Sequence, residues 1–286
     1  MKAKLTFLGT GTSQGIPIIG CRCRVCQSAD IRDKRFRAAA LVEYGGLTML
    51  IDAGPDFRMQ MLAHRVSHLD AIILTHNHKD HTGGLDDVRS FNYIDHKAVD
   101  IYCEERVENT IRREYAYAFA EEKYPGCPEW RIHRIDDSPF DVKPNTGYKL
   151  DWVENVGYKY TPVEGEAPKP AVRVIPIRGW HAQMPVLGFR FGDIAYITDM
   201  SMLPEEEFAK LQGLKHLTLN TVGFKHHHSH FSLQEALDLA ARIGAEHTWL
   251  THLSHSVPPH AEFEEMLREK TGGAVLPAYD GLIIED

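Results

Sequence analysis

The sequence predicts an α/β fold in which two β-sheets pack face to face with helices on their outer sides. Strand and helix patterns alternate in both halves of the chain, as expected for such a sandwich. The 286 residues are enough for one sizeable core, and we expect a single domain over 1–286. The composition, 43% hydrophobic and 25% charged, is ordinary for a globular protein.

Apolar runs and turn residues define the elements of the first half. Gly45-Gly46 separates two apolar runs and predicts a β-hairpin, which Asp52-Ala53-Gly54-Pro55 ends. Apolar spacing and composition predict the remaining strands and helices. In chain order we expect strands over 3–9, 38–44 and 47–53, a helix over 56–65, a strand over 71–74, a short helix around 86–87, a strand over 99–103 and a helix over 104–121.

Helix-start signals organise the second half. Pro204 precedes three glutamates, whose charges suit the first turn of a helix. Ser232 and Glu235 have the spacing of a capping box at the start of an amphipathic helix. In chain order we expect strands over 171–177, 187–191 and 194–198, a helix from 204, a strand over 216–222, a helix over 233–243, a strand over 247–251, a helix over 260–271 and strands over 274–276 and 282–285.

Residues 122–170 fit this alternation less well. They contain Pro125-Gly126-Cys127-Pro128, several aromatic residues and charges of both signs. One interpretation is an insertion that forms a lid or rim over a site, and the other is an ordinary surface excursion.

Charge and hydropathy exclude some classes of function. The formal net charge of −8 argues against a footprint for a long polyanion, because neutralising phosphates requires clustered Lys and Arg. A small anionic substrate remains compatible with it. No apolar run approaches the roughly 20 residues of a membrane span, and the N-terminus lacks the features of a signal peptide. We therefore expect a cytoplasmic protein that does not enter the membrane; a homodimer is compatible with the sequence, which does not fix the oligomeric state.

A dense group of metal-ligand residues follows the predicted strand 71–74. Residues 75–82 read Thr-His-Asn-His-Lys-Asp-His-Thr, with three imidazoles and one carboxylate within six residues. Packing alone does not call for so many adjacent groups that each need a polar partner. Imidazole nitrogen and carboxylate oxygen are ligands of divalent cations such as zinc. We expect His76 and His78 to bind one ion, and Asp80 and His81 to bind a second.

The pattern His-x-His-x-Asp-His after an apolar strand resembles the signature of the metallo-β-lactamase fold superfamily. The resemblance implies a four-layer αββα sandwich of two mixed sheets and a two-metal hydrolytic centre. Three further predicted strands end in candidate ligands, and the superfamily pattern assigns them by order. The implied ligands are His76, His78 and His181 for one metal, Asp80, His81 and His252 for the other, and Asp199 shared between them. Asp52 is implied as a group that orients a metal-binding histidine.

Two cations close together imply hydrolysis. A water molecule that bridges them loses much of its proton affinity and gives a hydroxide nucleophile near neutral pH, while the metals neutralise charge on the group under attack. We expect zinc or manganese, although the same ligands also suit iron or nickel.

A second metal site is predicted near the N-terminus. Cys21, Cys23 and Cys26 have the density of zinc ligands but lack the fourth partner of a closed tetrahedral site. The neighbouring Arg22 and Arg24 would lower the pKa values of exposed thiols and make them reactive, which favours bound thiolates over free ones. We expect a structural zinc whose fourth ligand comes from elsewhere in the chain.

The cysteine cluster together with the ligand set resembles the phosphonate-pathway phosphoribosyl 1,2-cyclic phosphate phosphodiesterases. That resemblance implies His255, in Thr251-His252-Leu253-Ser254-His255, as the fourth zinc ligand. It also implies that His230, in the histidine-rich run 225–230, donates a proton to the leaving group, with Asp80 and His230 as the catalytic residues. We therefore expect a metal-dependent hydrolase that cleaves a small linear or cyclic phosphodiester. The chain departs from that family in its length over 122–170 and in His226–His228.

Several other functions share parts of this pattern. An endoribonuclease similar to those that process the 3′ ends of tRNA would use the same ligands, but the mixed charge of 122–170 does not favour an RNA-binding arm. Hydrolysis of thioesters, lactones or β-lactams would give His230 and the cysteines no evident role. Proteins of pyrroloquinoline quinone biosynthesis resemble the cysteine cluster, and a scaffold that only binds metal is a further alternative.

Overall fold

Two seven-stranded sheets lie face to face in the computed structural model, which describes residues 1–144, 148–155, 157–162 and 170–286. The strands are β1 (Ala3–Gly9), β2 (Ala39–Tyr44), β3 (Leu47–Ile51), β4 (Ala71–Ile73), β5 (Val99–Cys103), β6 (Trp130–Arg134), β7 (Phe140–Val142), β8 (Tyr148–Val153), β9 (Gly157–Pro162), β10 (Val172–His181), β11 (Met184–Phe191), β12 (Ile194–Tyr196), β13 (His216–Asn220), β14 (His247–Thr251), β15 (Val275–Pro277) and β16 (Ile283–Glu285).

Helices cover the outer faces of the sheets. The α-helices are α1 (Phe57–Ala63), α2 (Lys79–Thr82), α3 (Arg89–Asp95), α4 (Glu105–Glu114), α5 (Leu233–Ile243) and α6 (His260–Thr271). Short 3₁₀ helices span Ile31–Asp33, Leu85–Val88, Ala116–Phe119 and Glu205–Leu211. Among the described residues, no helix has the length and apolar character needed to cross a bilayer.

Both sheets are mixed. The strand order is β16-β1-β2-β3-β4-β5-β6 in the first sheet and β15-β14-β13-β12-β11-β10-β7 in the second, while β8 pairs with β9 alone. Parallel pairing joins β3 through β6 in the first sheet and β12 through β15 in the second, and antiparallel pairing joins the other strands. The predicted four-layer αββα sandwich is confirmed.

The core lies in three layers because neighbouring residues of a strand face opposite sides of its sheet. In β3, Met49 and Ile51 belong to the cluster between the two sheets, together with Phe189. Leu50, between them in sequence, belongs instead to the cluster under α1 and α4, with Phe57. Burial of both faces explains why this strand is apolar throughout rather than alternating.

Most predicted elements agree closely with the structure, including β1, β5, β14, α5 and α6. The predicted helix over 104–121 is wrong in its second half, because α4 ends at Glu114. Tyr115 leaves the helical conformation, and its buried hydroxyl donates a hydrogen bond of 2.8 Å to the Thr82 carbonyl. Its ring also packs edge-on against Trp130. These long-range contacts outweigh the helical composition of the segment.

The region 122–170 contributes to both sheets. β6 is the edge strand of the first sheet, and β7 pairs with β10 at the edge of the second. β8 and β9 form a separate antiparallel hairpin. Residues 145–147, 156 and 163–169 lie outside the described residues, so the interpretation of this region as a lid or rim stays a prediction.

The carboxyl ends of several strands meet at one edge of the sandwich. The chain leaves β4 toward His76, β10 ends at His181, and β14 is followed directly by His252. The two sheets are joined there by the Leu187 N–H, which donates to the Thr75 carbonyl at 3.1 Å. This edge therefore collects the candidate ligands from both sheets.

Candidate metal centre

The motif 76–81 turns sharply after β4. Residues Lys79–Thr82 form a single helical turn, and the His81 carbonyl accepts a hydrogen bond of 2.8 Å from the Ala53 N–H. A Cβ on Gly54 would lie only 2.0 Å from the Asp80 carbonyl oxygen. Glycine is therefore required at position 54 for the loop after β3 to pack against the metal-ligand turn.

Four of the predicted ligands form a tight group. The ligand atoms of Asp80, His81, Asp199 and His252 all lie within 4.8 Å of one another. Asp199 lies between the two histidines, with its Oδ2 3.3 Å from His81 Nε2 and its Oδ1 3.1 Å from His252 Nε2. The same His81 Nε2 atom also lies 3.2 Å from Asp80 Oδ2. This grouping matches the predicted second metal set with its shared aspartate.

The other three histidines lie next to this group. The ring centroids of His76 and His78 are 4.7 Å apart, and those of His78 and His181 are 5.0 Å apart. The Nδ1 atom of His181 lies 3.0 Å from the Asp199 carbonyl oxygen, an acceptor that would leave Nε2 of the ring available to a ligand. His76 connects the two sets, since its ring lies 4.2 Å from that of His81.

Three residues at the site adopt a conformation unusual for side chains other than glycine. Asp52, Asp199 and His252 have φ values of 64°, 58° and 56°. Such left-handed residues are uncommon outside glycine and cluster at functional sites, where the surrounding structure holds them. Each follows a strand closely, so the backbone turns there and directs the side chain into the site.

Unpartnered nitrogen atoms test whether this arrangement suits a metal. Within the described part of the chain, the Nε2 atom of His76 is buried without a hydrogen-bond partner. The buried Nε2 atoms of His81 and His252 make no well-aligned hydrogen bond either, and carboxylate oxygens of Asp80 and Asp199 lie 3.1–3.3 Å from them. Buried polar atoms are almost always paired. Nitrogen donors that converge with carboxylate oxygens and lack partners fit a divalent cation, and this donor set suits zinc as well as manganese or iron.

The charges of the group are strongly coupled. Burial would raise the pKa of the Asp199 carboxyl, but His252 and His81 hold that pKa well below its usual range. Burial would lower the pKa of His81, but Asp199, Asp80 and Asp52 raise it well above its usual value. By contrast, burial and the neighbouring His81 lower the pKa of His76. The three carboxylates therefore favour positive charge at His81.

Asp52 and Thr75 fix the orientation of two of the histidines. Asp52 Oδ2 lies 2.7 Å from His81 Nδ1 and accepts a hydrogen bond of 2.8 Å from the Thr75 hydroxyl. The same hydroxyl oxygen lies 2.9 Å from His76 Nδ1. Both histidines thus have Nδ1 engaged and Nε2 directed to the centre. Thr75 was not among the residues predicted from the sequence, although its place directly before the first motif histidine is a usable signal.

His230 lies against both halves of the centre. Its ring centroid is 4.6 Å from that of His181 and 4.6 Å from that of His252. Its Nδ1 is buried without a hydrogen-bond partner among the described residues and lies 3.8 Å from Asp199 Oδ1. Ligand atoms of His181, Asp199 and His230 also come within 4.8 Å of one another, a grouping that the sequence did not predict. His230 is therefore close enough to act on a bound substrate or to contact a metal.

A cleft opens beside His230. It has a volume of about 680 Å³ and separates the loop after β1 from the loop before α5. The lining residues are Thr12, Ser13, Val222, Gly223, Phe224, Lys225, His226, His227, His230, His252, Ser254 and Ser256. Although the chain is acidic overall, this cleft has a lysine and four histidines and no carboxylate in its lining.

Comparison with known proteins agrees with this geometry. Residues 48–253 match the family model described as the beta-lactamase superfamily domain. The chain belongs to the β-lactamase superfamily. Its fold is that of the metal-dependent hydrolases of this superfamily, and its ligand pattern resembles that of phosphodiesterases.

Solved structures resemble the whole chain. A crystal structure described as a new diphosphatase from the PhnP family is 34% identical, with a TM-score of 0.82 over 100% of this chain and 98% of that one. The short form of human tRNase Z has a TM-score of 0.61 over 98% of both chains, but at 20% identity this likeness shows the fold alone.

A curated relative from Porphyromonas gingivalis, named octanoyltransferase, is 36% identical over 279 residues. The match covers 96% of this chain and 50% of that protein. The chain thus spans about half the length of this relative, and less of the other curated proteins that it matches.

The predicted structural zinc site forms a second cluster of candidate ligands in this superfamily member. Cys21, Cys23, Cys26 and His255 place their ligand atoms within 4.8 Å of one another. The distances from His255 Nδ1 to the three Sγ atoms are 3.2, 3.5 and 3.7 Å. The Cys26 N–H donates to Cys23 Sγ and helps to lower the pKa of that thiol to about 6. Four converging N and S donors fit a tetrahedral zinc ion.

Proposed function

We propose that this chain is a dinuclear metal phosphodiesterase that hydrolyses a small linear or cyclic phosphodiester. The position of His230 carries the proposal. Its imidazole lies 4.6 Å by ring centroid from His181, which belongs to one predicted metal set, and equally close to His252, which belongs to the other. An imidazole between the two sets that also lines a cleft would be able to give a proton to a leaving oxygen.

Each residue of the centre has a proposed part. His76, His78 and His181 would hold one ion, Asp80, His81 and His252 a second, and Asp199 both. When bound, two divalent ions would lower the pKa of a coordinated water molecule and neutralise charge on the phosphoryl group. Asp52 would keep His81 in the orientation that directs Nε2 to the centre. Cys21, Cys23, Cys26 and His255 would hold a structural zinc.

The protonation of His230 depends on the substrate. Burial and the neighbouring His252 lower the pKa of His230 to about 3, which favours the neutral ring near pH 7. An anionic phosphodiester bound beside the ring would favour the imidazolium form, because an opposite charge stabilises it. A bound substrate would therefore raise the fraction of His230 that carries a proton to donate.

The PhnP-family neighbour supports a second candidate. That protein is described as a diphosphatase and is 34% identical over nearly the whole of both chains. A diphosphate linkage also presents phosphoryl oxygens to the metals and releases an oxygen leaving group. The same centre would serve both reactions. The test must therefore compare substrates joined by one phosphate with substrates joined by two.

The test compares three substrates on protein loaded with zinc or manganese: bis(p-nitrophenyl) phosphate, a 2′,3′-cyclic nucleotide and a dinucleoside diphosphate. We expect turnover of the first two, with loss of activity in His78→Ala. Turnover of the third alone would favour the diphosphatase. Failure with all three in protein that holds two metals would refute phosphorus chemistry, and thioesters and lactones would then be tried.

A further inference from the structure

The cleft extends well beyond the candidate metal centre. We call its buried part, lined by His230 and His252, the inner end, and its exposed part, lined by Phe224, Lys225 and His226 of the loop before α5, the outer part. Its volume of about 680 Å³ lies within the range of about 300–1,000 Å³ that encloses whole small molecules. A phosphodiester group alone would fill only the inner end. The outer part is therefore available to the rest of a substrate.

Phe224 offers an aromatic surface in that outer part. Half of its surface is exposed, and the ring packs edge-on against Phe263 of α6, at a centroid distance of 6.5 Å. An aromatic ring that is held from one edge and open to a cleft is a stacking platform for another planar ring.

The backbone before Phe224 is fixed in place. Gly223 has a φ of 149°, and a Cβ there would lie 2.5 Å from Ser256 Oγ. Ser256 donates a hydrogen bond of 3.0 Å to the Val222 carbonyl, which also accepts one from Ser254. The loop that carries Phe224 is thus tied to the loop that carries His252. These contacts fix the backbone beside Phe224 relative to the loop of the candidate metal centre.

The surroundings of Phe224 favour an anionic, hydroxylated ligand. Lys225 is exposed and makes no ion pair with any residue that the structure describes. His226 is held by Glu235, with 3.1 Å between Nδ1 and Oε1. Thr12 and Ser13 add hydroxyl groups to the lining of the cleft. Cation, hydroxyl groups and aromatic ring match the phosphate, the ribose and the base of a nucleotide.

We propose that the outer part of this cleft is a nucleoside subsite in which Phe224 stacks on the base of a nucleotide substrate. The inference rests on the proposed function for the bond that is cleaved, and it adds the substrate class. Lys225 would attract the anionic substrate over a distance without reading the base.

Two ligands that differ only in the base provide the test. Adenosine 5′-monophosphate and ribose 5-phosphate are titrated into metal-loaded protein by isothermal titration calorimetry. We expect the nucleotide to bind about tenfold more tightly, since stacking on one aromatic ring has about that effect. Phe224→Ala should remove this advantage and leave the binding of ribose 5-phosphate unchanged.

Three further variants separate stacking from other effects. Phe224→Leu retains an apolar side chain without a π face and should lose most of the preference. Lys225→Gln should weaken both ligands by a similar factor. Ile94→Ala removes a comparably exposed apolar side chain from α3 and should change neither.

Equal affinities of the wild-type protein for the two ligands, or an equal effect of Phe224→Ala on both, would overturn the nucleoside subsite. These binding results do not require turnover. A protein that prefers the nucleotide but hydrolyses none of the diesters would retain the subsite and refute the proposed phosphodiesterase.

Discussion

Asp52 Oδ2 lies 2.7 Å from His81 Nδ1, and both side chains are completely buried. The carboxylate is the acceptor that keeps His81 Nε2 pointing to the candidate centre. We expect Asp52→Asn to weaken metal binding by about 10–100-fold, as is typical when such a partner of a ligating histidine is lost. Competition with a chelator for the bound metal would measure the change.

Asp100→Asn is the matched control for this variant. Asp100 is also fully buried and lies 2.7 Å from a histidine nitrogen, that of His133, but it belongs to β5, and its ion-pair partners in the described part of the chain are Arg131 and His133. Both variants should lose stability, and only Asp52→Asn should lose metal affinity. Equal metal affinity in folded Asp52→Asn and wild-type protein would show that Asp52 does not position His81.

A substitution in the cysteine cluster should remove zinc without acting on the candidate metal centre. Cys23→Ala should remove about one zinc per chain and lower the melting temperature, because closed zinc sites contribute folding energy directly. Metal analysis and thermal unfolding give the two readouts. Cys103→Ala is the control, since that thiol is buried in the core away from the cluster. This variant should lower the melting temperature without any loss of zinc. A full zinc content in Cys23→Ala would refute the site.

Local signals explain how much of the fold was predictable. Helix α5 has its capping box at Ser232 and Glu235, and it ends at Gly244 with a φ of 72°. Each of these features is encoded within a few residues of the helix end. The motif histidines were predictable for the same reason, since they follow an apolar strand directly. Where the decisive information is local, the sequence was sufficient.

Long-range contacts explain what was not predictable. The end of α4 depends on the hydrogen bond from Tyr115 to Thr82, which are 33 residues apart. The contact of His230 with both His181 and His252 depends on loops from three separate parts of the chain. Asp52 by its pattern alone was an ordinary turn residue, and only a family resemblance distinguished it. Such features arise from packing, which a single sequence does not display.

His230→Ala tests the proton donor. We expect kcat to fall by about 10²–10⁴, the usual contribution of a positioned acid. The loss should be greater for an alkyl leaving group than for p-nitrophenolate, because a poor leaving group depends more on protonation. Steady-state kinetics with the two kinds of diester would measure this. His228→Ala removes an exposed neighbouring imidazole and should retain activity.

The metal content of His230→Ala distinguishes its two roles. Two bound metals with low kcat would support the acid. Loss of metal would instead assign His230 to the ligand grouping with His181 and Asp199 that the structure brings within 4.8 Å. An unchanged kcat for both leaving groups would refute both roles, that of proton donor and that of metal ligand.

His68 makes stability depend on pH at a place remote from both metal sites. Its two ring nitrogens lie 2.9 Å from Asp70 and 2.8 Å from Asp95. Hydrogen bonds to these carboxylates raise its pKa from about 6.5 to about 9. Because the folded-state pKa is raised, the stabilisation is fully present below about pH 6.5 and is lost as the pH rises through about 9.

The variant His68→Asn should therefore melt at a lower temperature than wild-type protein at pH 6, with the difference shrinking steadily toward pH 9.5. Melting curves of both proteins across this range provide the measurement. Asp95→Asn removes one of the two carboxylates and should show a smaller difference with the same pH dependence. A gap between wild-type and His68→Asn that stays constant with pH would mean that His68 contributes through packing and not through its charge.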